Sequence, residues 1–523
     1  MKLGIDFGTT RVVVAAVDRG NYPVVSFETA DGATEEWFPP LVAIRGDERL
    51  YGWEAYAMQA DPCWTVIRSL KRLLDEAGPN TRLEIGHQTI GLMELLRSIA
   101  GALLQSLRER SSLQLKPGEK LEVMLGVPAN ANSNQRFLTA EAFRQAGFEV
   151  LGILNEPSAA SIEFGHRNAS KGLQRLVVYD LGGGTFDASL VEHDDKMHWV
   201  VANEGIATLG GDDFDHLLAE IALEQVGLQL DELSQGESFR LLEECRVKKE
   251  SLHPNTRKIT VDLGVVREGL PVASVPVSDY FERARPYVEE TLHAVNDLIA
   301  KSGLDVIDTL YVTGGGSELP LIGRVLREEF GRKMKRSSHS RSATAIGLAI
   351  QADASAGYEL RDQFTRNFGV WREADCGRRI IFDPLFVKGT PLPAPGESSA
   401  AIQRRYQPVH NIGHFRYLEC SYVNEFGQPA GDITIWDEIQ FPFDPALQGR
   451  ADLQSISVEL CERARGERIE ESYRLSPEGL VVVAIRDLVS GYEQSWSLGR
   501  WAPKTTTIKA TRKRKSRSRS NSA

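Results

Sequence analysis

Two stretches of this chain repeat one design: LGIDFGTTRVVVAAV (Leu3–Val17) and LVVYDLGGGTFDASLV (Leu176–Val191). Each is an apolar strand that ends in Asp, turns through Gly and Thr, and returns as a second strand. Glycine lets the backbone N–H groups of such a turn point inward and Thr adds a hydroxyl, so each turn holds phosphate oxygens without a positive side chain. Two hairpins of this kind clamp a triphosphate between them. Asp6 and Asp180 end the leading strands, where Mg²⁺ with its retained waters is the expected mediator, and Asp187 supports the second turn. One Asp-Gly turn would be ordinary hairpin punctuation; two matching units in one chain predict a nucleotide site. The chain has no GxxxxGK[ST] and no GxGxxG that opens a helix after a strand, which excludes a P-loop and a dinucleotide fold.

The 523 residues exceed what one hydrophobic core carries, and at about 100–200 residues per domain they predict roughly three folding units. Hydrophobic residues at 42% and charged residues at 25% are values of a globular chain. Over 1–355, β-branched runs alternate with helical-period segments, the pattern of an α/β architecture. Strands are predicted at Leu3–Ile5, Arg11–Val17, Glu122–Gly126, Leu176–Tyr179, Ala188–Val191, Trp199–Ala202 and Thr309–Val312. Helices are predicted at Ile90–Glu109, Asn134–Ala146, Phe214–Gln225, Phe239–Leu252, Ser278–Ser302 and Leu319–Phe330. Near residue 356 helical patterns stop, Pro and Gly become frequent, and short alternating strands predict a small all-β sandwich over 356–500. LPAPGESSA (392–400) reads as a loop within it. Residues 501–523 have too little apolar content to fold alone and are expected to be a disordered basic tail.

MKLGIDFG runs straight into a strand, without the basic, apolar and small-residue regions of a secretion signal. No window of about 18 apolar residues occurs, so a soluble, cytoplasmic protein with no transmembrane segment is expected. Cys63, Cys245, Cys376, Cys420 and Cys461 have neither zinc-ligand nor redox spacing and are expected to be reduced thiols. The net charge of −11 hides an asymmetry, because the last twenty residues carry eight Lys or Arg and no acid. Such a tail contacts RNA, ribosomes or an anionic membrane, or serves only as a solubilising extension.

Six segments occur in one order: GIDFGTT, VPANANSNQR (Val127–Arg136), NEPSAASIEFG (Asn155–Gly165), VYDLGGGTFD (Val178–Asp187), GGDDFD (Gly210–Asp215) and VTGGGSELP (Val312–Pro320). Together they resemble the heat-shock protein 70 family, whose bacterial form is DnaK. The resemblance implies a two-lobed, actin- and hexokinase-like (ribonuclease H-like) ATPase domain over 1–355 and a β-sandwich that binds extended or unfolded polypeptide. Carried over position by position, it implies that Gly8, Thr9 and Thr10 serve the β- and γ-phosphate side. Gly182, Gly183, Gly184 and Thr185 form the second phosphate loop, and Asp6 and Asp180 order Mg²⁺ through water. Gly210, Gly211, Lys249, Gly314 and Gly315 complete the ATP- or ADP-binding set. Lys71, in SLKRLLD, matches the lysine that contacts the γ-phosphate and the attacking water, and Glu156, in NEP, the nearby acid. With Asp180 and Thr185 they are the catalytic candidates, positioning water for in-line attack. By itself, Lys71 reads as a solvated helix lysine and Glu156 as a helix-start acid beside Pro157. Pro128 and Arg136 match positions that relay nucleotide state to the second domain; the residues themselves read equally as a turn proline and a surface arginine.

The nucleoside end departs from the family. RVKKESLH (Arg246–His253) keeps Lys249 but places Arg246 where an acid is usual and His253 where serine is, and Glu318 stands where an arginine commonly stacks on the base. Altered base contacts are expected. FDPLFVKGTPLP (Phe382–Pro393) and SPEGLVVVAIRDLVSGYEQSW (Ser476–Trp496) carry a loose likeness to the family's sandwich, while YELRDQFTRNFG (Tyr358–Gly369) lacks its acidic, leucine-rich linker. In the family a helical lid follows the sandwich; basic, Ser-rich residues follow Trp501 here, and a sandwich without a lid implies weak, fast peptide exchange.

These features imply an ATP-dependent molecular chaperone whose slow hydrolysis gates polypeptide binding, served by a J-domain co-chaperone and a nucleotide-exchange factor. A small-molecule, sugar-type kinase of the same fold is one alternative, and it requires a general-base Asp facing a substrate pocket. A non-hydrolysing ATP-binding scaffold is another, against which Asp6, Lys71, Glu156, Asp180 and Thr185 argue.

Overall fold

The computed structural model describes residues 1–497 apart from positions 31, 60, 75–80, 86–87, 169–171, 304–305, 375–378, 394–396, 398, 400, 437 and 478. The predicted basic tail, Cys376 and much of the 392–400 loop lie outside the described residues. Compactness divides the chain into Met1–Arg366 with the short stretch 387–393, and a second unit formed by Asn367–Phe386 with the described residues from 397 onward.

In the first unit, strands β1 (Lys2–Phe7) and β2 (Val12–Ala16) pair antiparallel, with Asp6 opposite Val13. β3 (Glu122–Val127) joins β1 in parallel and β4 (Glu149–Asn155) joins β3, giving the order β4-β3-β1-β2. Helix α1 (Leu92–Glu109) covers this sheet with Leu92, Leu96, Ile99, Leu103 and Leu107, spaced at the helical period so that one face is buried. Helix α2 (Ser133–Ala146) opens on a capping box between Asn132 and Gln135 and stops at Gly147, whose φ of 105° ends the helix. Helix α3 (Glu156–Arg167) begins with Pro157 in its first turn.

The second sheet restates the first. β5 (Gln174–Leu181), β6 (Phe186–Asp194) and β7 (Met197–Ile206) form an antiparallel meander; β8 (Thr309–Thr313) joins β5 in parallel, β9 (Met334–Arg336) joins β8, and β10 (Glu359–Arg361) joins β7. The helices around it are α4 (Gly211–Glu224), α5 (Gln235–Glu250), α6 (Val277–Lys301), α7 (Pro320–Phe330) and α8 (Ala343–Ala352). Each half therefore closes with the same run of helix, strand, helix, strand, helix: α1-β3-α2-β4-α3 and α6-β8-α7-β9-α8. The echo in sequence is an echo of topology.

The closing helix of each half packs on the sheet of the other. Ile346, Ala349 and Ile350 of α8 lie against Val13 and Ala15 of β2, while Ala160 and Phe164 of α3 lie against Leu176 and Val178 of β5. Between the two helices a Cβ on Gly347 would stand 1.8 Å from the Ala159 carbonyl oxygen, so only glycine allows this approach. The predicted elements of this unit are present with their ends shifted by up to four residues, whereas β4, α3, β9, α8 and β10 were not among them.

The second unit consists of two antiparallel sheets. One holds Asn367–Ala374, Arg379–Phe386, Ile412–Val423, Pro429–Ile435 and Ile439–Pro442; the other holds Ile402–Tyr406, Ile469–Leu475, Val481–Asp487 and Glu493–Ser497. They meet face to face through Tyr417 and Tyr473, whose rings are 6.1 Å apart. Arg372 crosses from the first sheet to the fully buried Glu471 of the second at 2.6 Å and also holds Asp383 at 2.7 Å. Of the predicted segment Phe382–Pro393, only the part up to Phe386 belongs to these sheets; Thr390 accepts from the Phe364 amide of the first unit at 2.7 Å.

Candidate functional site

The two glycine-threonine turns face each other across one cleft of about 850 Å³ in the first unit. Their contact is close. A Cβ on Gly183 would lie 2.8 Å from the Thr10 hydroxyl, and one on Gly184 2.6 Å from the Thr9 hydroxyl. Both turns are thus parts of one wall-to-wall pocket, with Thr9, Thr10, Gly182, Gly183 and Thr185 lining it. The N-terminus of α4 closes the second turn from behind: the Gly211 amide donates to the Gly182 carbonyl at 2.9 Å and the Asp212 amide to the Gly183 carbonyl at 2.7 Å. Gly210 is pressed against Gly184, where a Cβ would meet backbone at 2.6 Å.

Lys71 lies in a short 3₁₀ turn (Leu70–Leu74) and reaches Glu156, the first residue of α3, with Nζ 2.5 Å from Oε1. Both side chains are buried, so Lys71 is not the solvated lysine that its local sequence alone suggests, while Glu156 does open a helix, as its place before Pro157 suggests. Burial by itself would lower the Lys71 ammonium; the carboxylates of Glu156 and Asp6 overcome it and hold the amine charged above its usual range. Burial, and then the neighbouring Glu156, push Asp6 up to about 7 despite Lys71 and despite some exposure of Asp6 to the open cleft. Burial, with Glu156 and Asp6, raises Asp180 well above the ordinary carboxylate range, and burial raises Asp187 to about 7. One ammonium against four carboxylates leaves an excess of negative charge that a divalent cation fits. Among the described residues no three of His, Cys, Asp or Glu are grouped so that they could hold a metal ion directly.

Asp187 accepts from the Ala129 amide at 2.8 Å, tying the second hairpin to the loop that follows β3 and holds Pro128. Arg136 is buried, not a surface arginine, and donates to Asn155. Asn155 in turn donates to Asp362 at 2.9 Å, as does Ser158 at 3.2 Å. The segment Tyr358–Asp362, unlike the family's linker in sequence, is therefore docked by β10 on β7 and by this polar chain beneath α3.

At the far end of the cleft, Gly314 has a φ of 83°, and a Cβ there would stand 2.4 Å from Asp180. Gly315 lines the same end. Lys249 donates to the Gly211 carbonyl at 2.6 Å and pairs with Asp215 at 2.7 Å. Arg246 pairs with Glu243 at 2.5 Å and Glu250 at 3.6 Å, and Glu318 pairs with Arg341 at 2.6 Å. His253 is not among the residues lining the cleft.

Several groups at the site escaped the sequence reasoning. Arg72 donates to the Gly184 carbonyl at 2.9 Å and pairs with Asp213 at 2.5 Å; Arg68 pairs with Asp212 at 2.6 Å and Glu243 at 2.7 Å. Thr344 of α8 donates to Asp180 at 3.5 Å. Arg72 carried one signal, its place next to Lys71. The others pair residues far apart in the chain and show no local pattern.

A family model described as Hsp70 protein matches residues 2–365. The chain is similar to the chaperone protein HscA homolog of Pseudomonas paraeruginosa (strain DSM 24068 / PA7), 29% identical over 515 residues that cover 95% of this chain and 77% of that one. It is 33% identical over 514 residues to the chaperone protein HscA homolog of Burkholderia multivorans (strain ATCC 17616 / 249), covering 95% of this chain and 78% of that one.

Proposed function

Because the chain belongs to the Hsp70 family, we propose that the cleft between its two glycine-threonine turns binds Mg²⁺-ATP and hydrolyses it to ADP and phosphate to drive chaperone action. The protein is an ATP-dependent chaperone and an ATPase; a sugar-type kinase is not favoured by relatives that carry chaperone names. The first unit, Met1–Arg366 with 387–393, is read as the two-lobed actin-like nucleotide-binding domain, eleven residues longer in its main stretch than the expected 1–355, and the second unit as the β-sandwich that takes extended polypeptide. The facing of Gly183 on Thr10 and Gly184 on Thr9 carries the nucleotide assignment.

The amides of both turns, with the Thr9, Thr10 and Thr185 hydroxyls, receive the phosphate oxygens. Bound Mg²⁺ would neutralise phosphate charge near Asp6 and Asp180. Lys71 opposes charge on the terminal phosphate, and Glu156 fixes the ammonium and orients a water for in-line attack. Lys249, Gly314 and Gly315 serve the nucleoside end. Arg136, through Asn155 and Asp362, reports the state of α3 to the docked segment that leads toward the second unit. Unfolded polypeptide, a J-domain co-chaperone and a nucleotide-exchange factor are the proposed partners, and the cytoplasm the proposed compartment. No helix among the described residues is long and apolar enough to cross a membrane.

The test is phosphate release by the full chain with and without an unfolded peptide and a J-domain protein. Turnover that rises with either supports the chaperone function; turnover indifferent to both overturns it.

A further inference from the structure

At the nucleoside end the cleft mouth is spanned by a continuous chain of ion pairs. Arg11, just after the first turn, pairs with Glu250 at the end of α5 at 2.6 Å. Glu250 also meets Arg341 at 3.4 Å, and Arg341 makes two bonds to Glu318, 2.9 Å from Nε and 2.6 Å from an NH2 group. Arg11, Glu250 and Arg341 all line the cleft. The stem of Arg341 runs beside Gly315, where a Cβ would meet the Arg341 Cγ at an ordinary contact distance of 3.7 Å. Glu318 thus removes a cation from its own position and recruits one from the loop before α8.

Resting on the nucleotide assignment above, we infer that Arg341, held flat by Glu318 and Glu250, supplies the planar cation that lies against the nucleobase, and that Arg11 through Glu250 ties it to the opposite wall. A triphosphate held between the two turns leaves its base at this end, beside Gly314, Gly315 and Ser340. A guanidinium stacks on an aromatic face with both its charge and its plane, and two carboxylate partners fix that plane before the ligand arrives. Arg11 is itself clamped, 5.1 Å from the Trp37 ring centre on its other side. The ion-pair chain must open for the nucleotide to leave, so release quickens as salt screens it.

Release and affinity of ribose-labelled ADP are measured on the full chain by stopped-flow fluorescence, with inorganic tripolyphosphate as a competing probe that has no base. Arg341→Ala is expected to weaken ADP by about 3- to 30-fold, the range of a desolvated cation against an aromatic face, and to leave tripolyphosphate unchanged. Arg341→Lys keeps the charge but not the plane and is expected to release ADP nearly as fast as Arg341→Ala. The double change Arg341→Glu with Glu318→Arg is expected to recover slow release. A parent protein that holds neither probe overturns the nucleotide assignment and this inference with it. A parent that holds both, with Arg341→Ala leaving ADP release unchanged or loosening tripolyphosphate equally, overturns this inference alone.

Discussion

Lys71 Nζ sits 2.5 Å from Glu156 Oε1, and both side chains are buried at the floor of the nucleotide cleft. Lys71→Ala removes the one cation among four carboxylates, so hydrolysis in single-turnover phosphate release should fall by about 100-fold or more, the scale of losing one preorganised electrostatic partner. ADP affinity by calorimetry should fall far less. Without Mg²⁺-nucleotide the variant should also melt earlier, by an amount on the order of 3 kcal/mol, because an unpaired buried charge remains. Equal loss of binding and turnover would remove Lys71 from the chemistry.

Gly184→Ala is expected to push the two turns apart, since its Cβ would stand 2.6 Å from the Thr9 hydroxyl and 3.0 Å from Arg72 Nε. ATP affinity should fall by more than about tenfold, with the second unit's melting unchanged. Calorimetric titration of the variant checks this; affinity within twofold of the parent contradicts the facing of the turns.

The legibility of the chain in its sequence follows the range of the interactions. The hairpins, the α/β alternation and the change of texture near 356 are set by local spacing and by glycine, and they were readable. The Arg136–Asn155–Asp362 chain was not. It joins residues 19 and 207 positions apart, and an arginine in a polar stretch gives no sign that it will be buried. β10 was missed for a related reason: three residues carry too little pattern, and the edge of β7 selects them. α8 was hidden by composition, because a helix apolar all round shows no amphipathic period.

Asp362→Ala should free the segment after Tyr358. It removes the acceptor of Asn155 and Ser158, a loss of roughly 1–3 kcal/mol where buried donors go unpaired. Limited proteolysis read by mass spectrometry should show faster cleavage within 358–366 than in the parent. Unchanged protection there would mean that pairing with β7 alone holds the segment.

His193 and His198 stack 5.2 Å apart, face each other across β6 and β7, and are fully buried. Burial, followed by the neighbouring His193, pushes His198 down to about 3, and burial lowers His193 as well. The unfolded chain then binds protons that the folded one refuses, so stability contributed by the neutral ring is full above about 6.5 and is lost as pH falls toward 3. Melting temperature should drop between pH 7 and pH 5, and His198→Gln should flatten that limb. An equally steep limb in the variant would place the acid sensitivity elsewhere.

In the second unit, Glu471→Ala should destabilise by about 3–5 kcal/mol, because Arg372 loses its fully buried partner. Urea unfolding followed by the fluorescence of Trp371 checks this, and Arg372→Met with Glu471→Leu should recover much of the loss.

Where α3 crosses α8, backbone touches backbone at Ala159 and Gly347. A joint without intervening side chains has no ridges to ratchet over, yet it has no slack along its length. Gly4 of β1 makes a second such joint, where a Cβ would stand 2.2 Å from the Ala349 amide nitrogen, so α8 is wedged between α3 and β1 with no side chain that could yield if the helices were pressed closer.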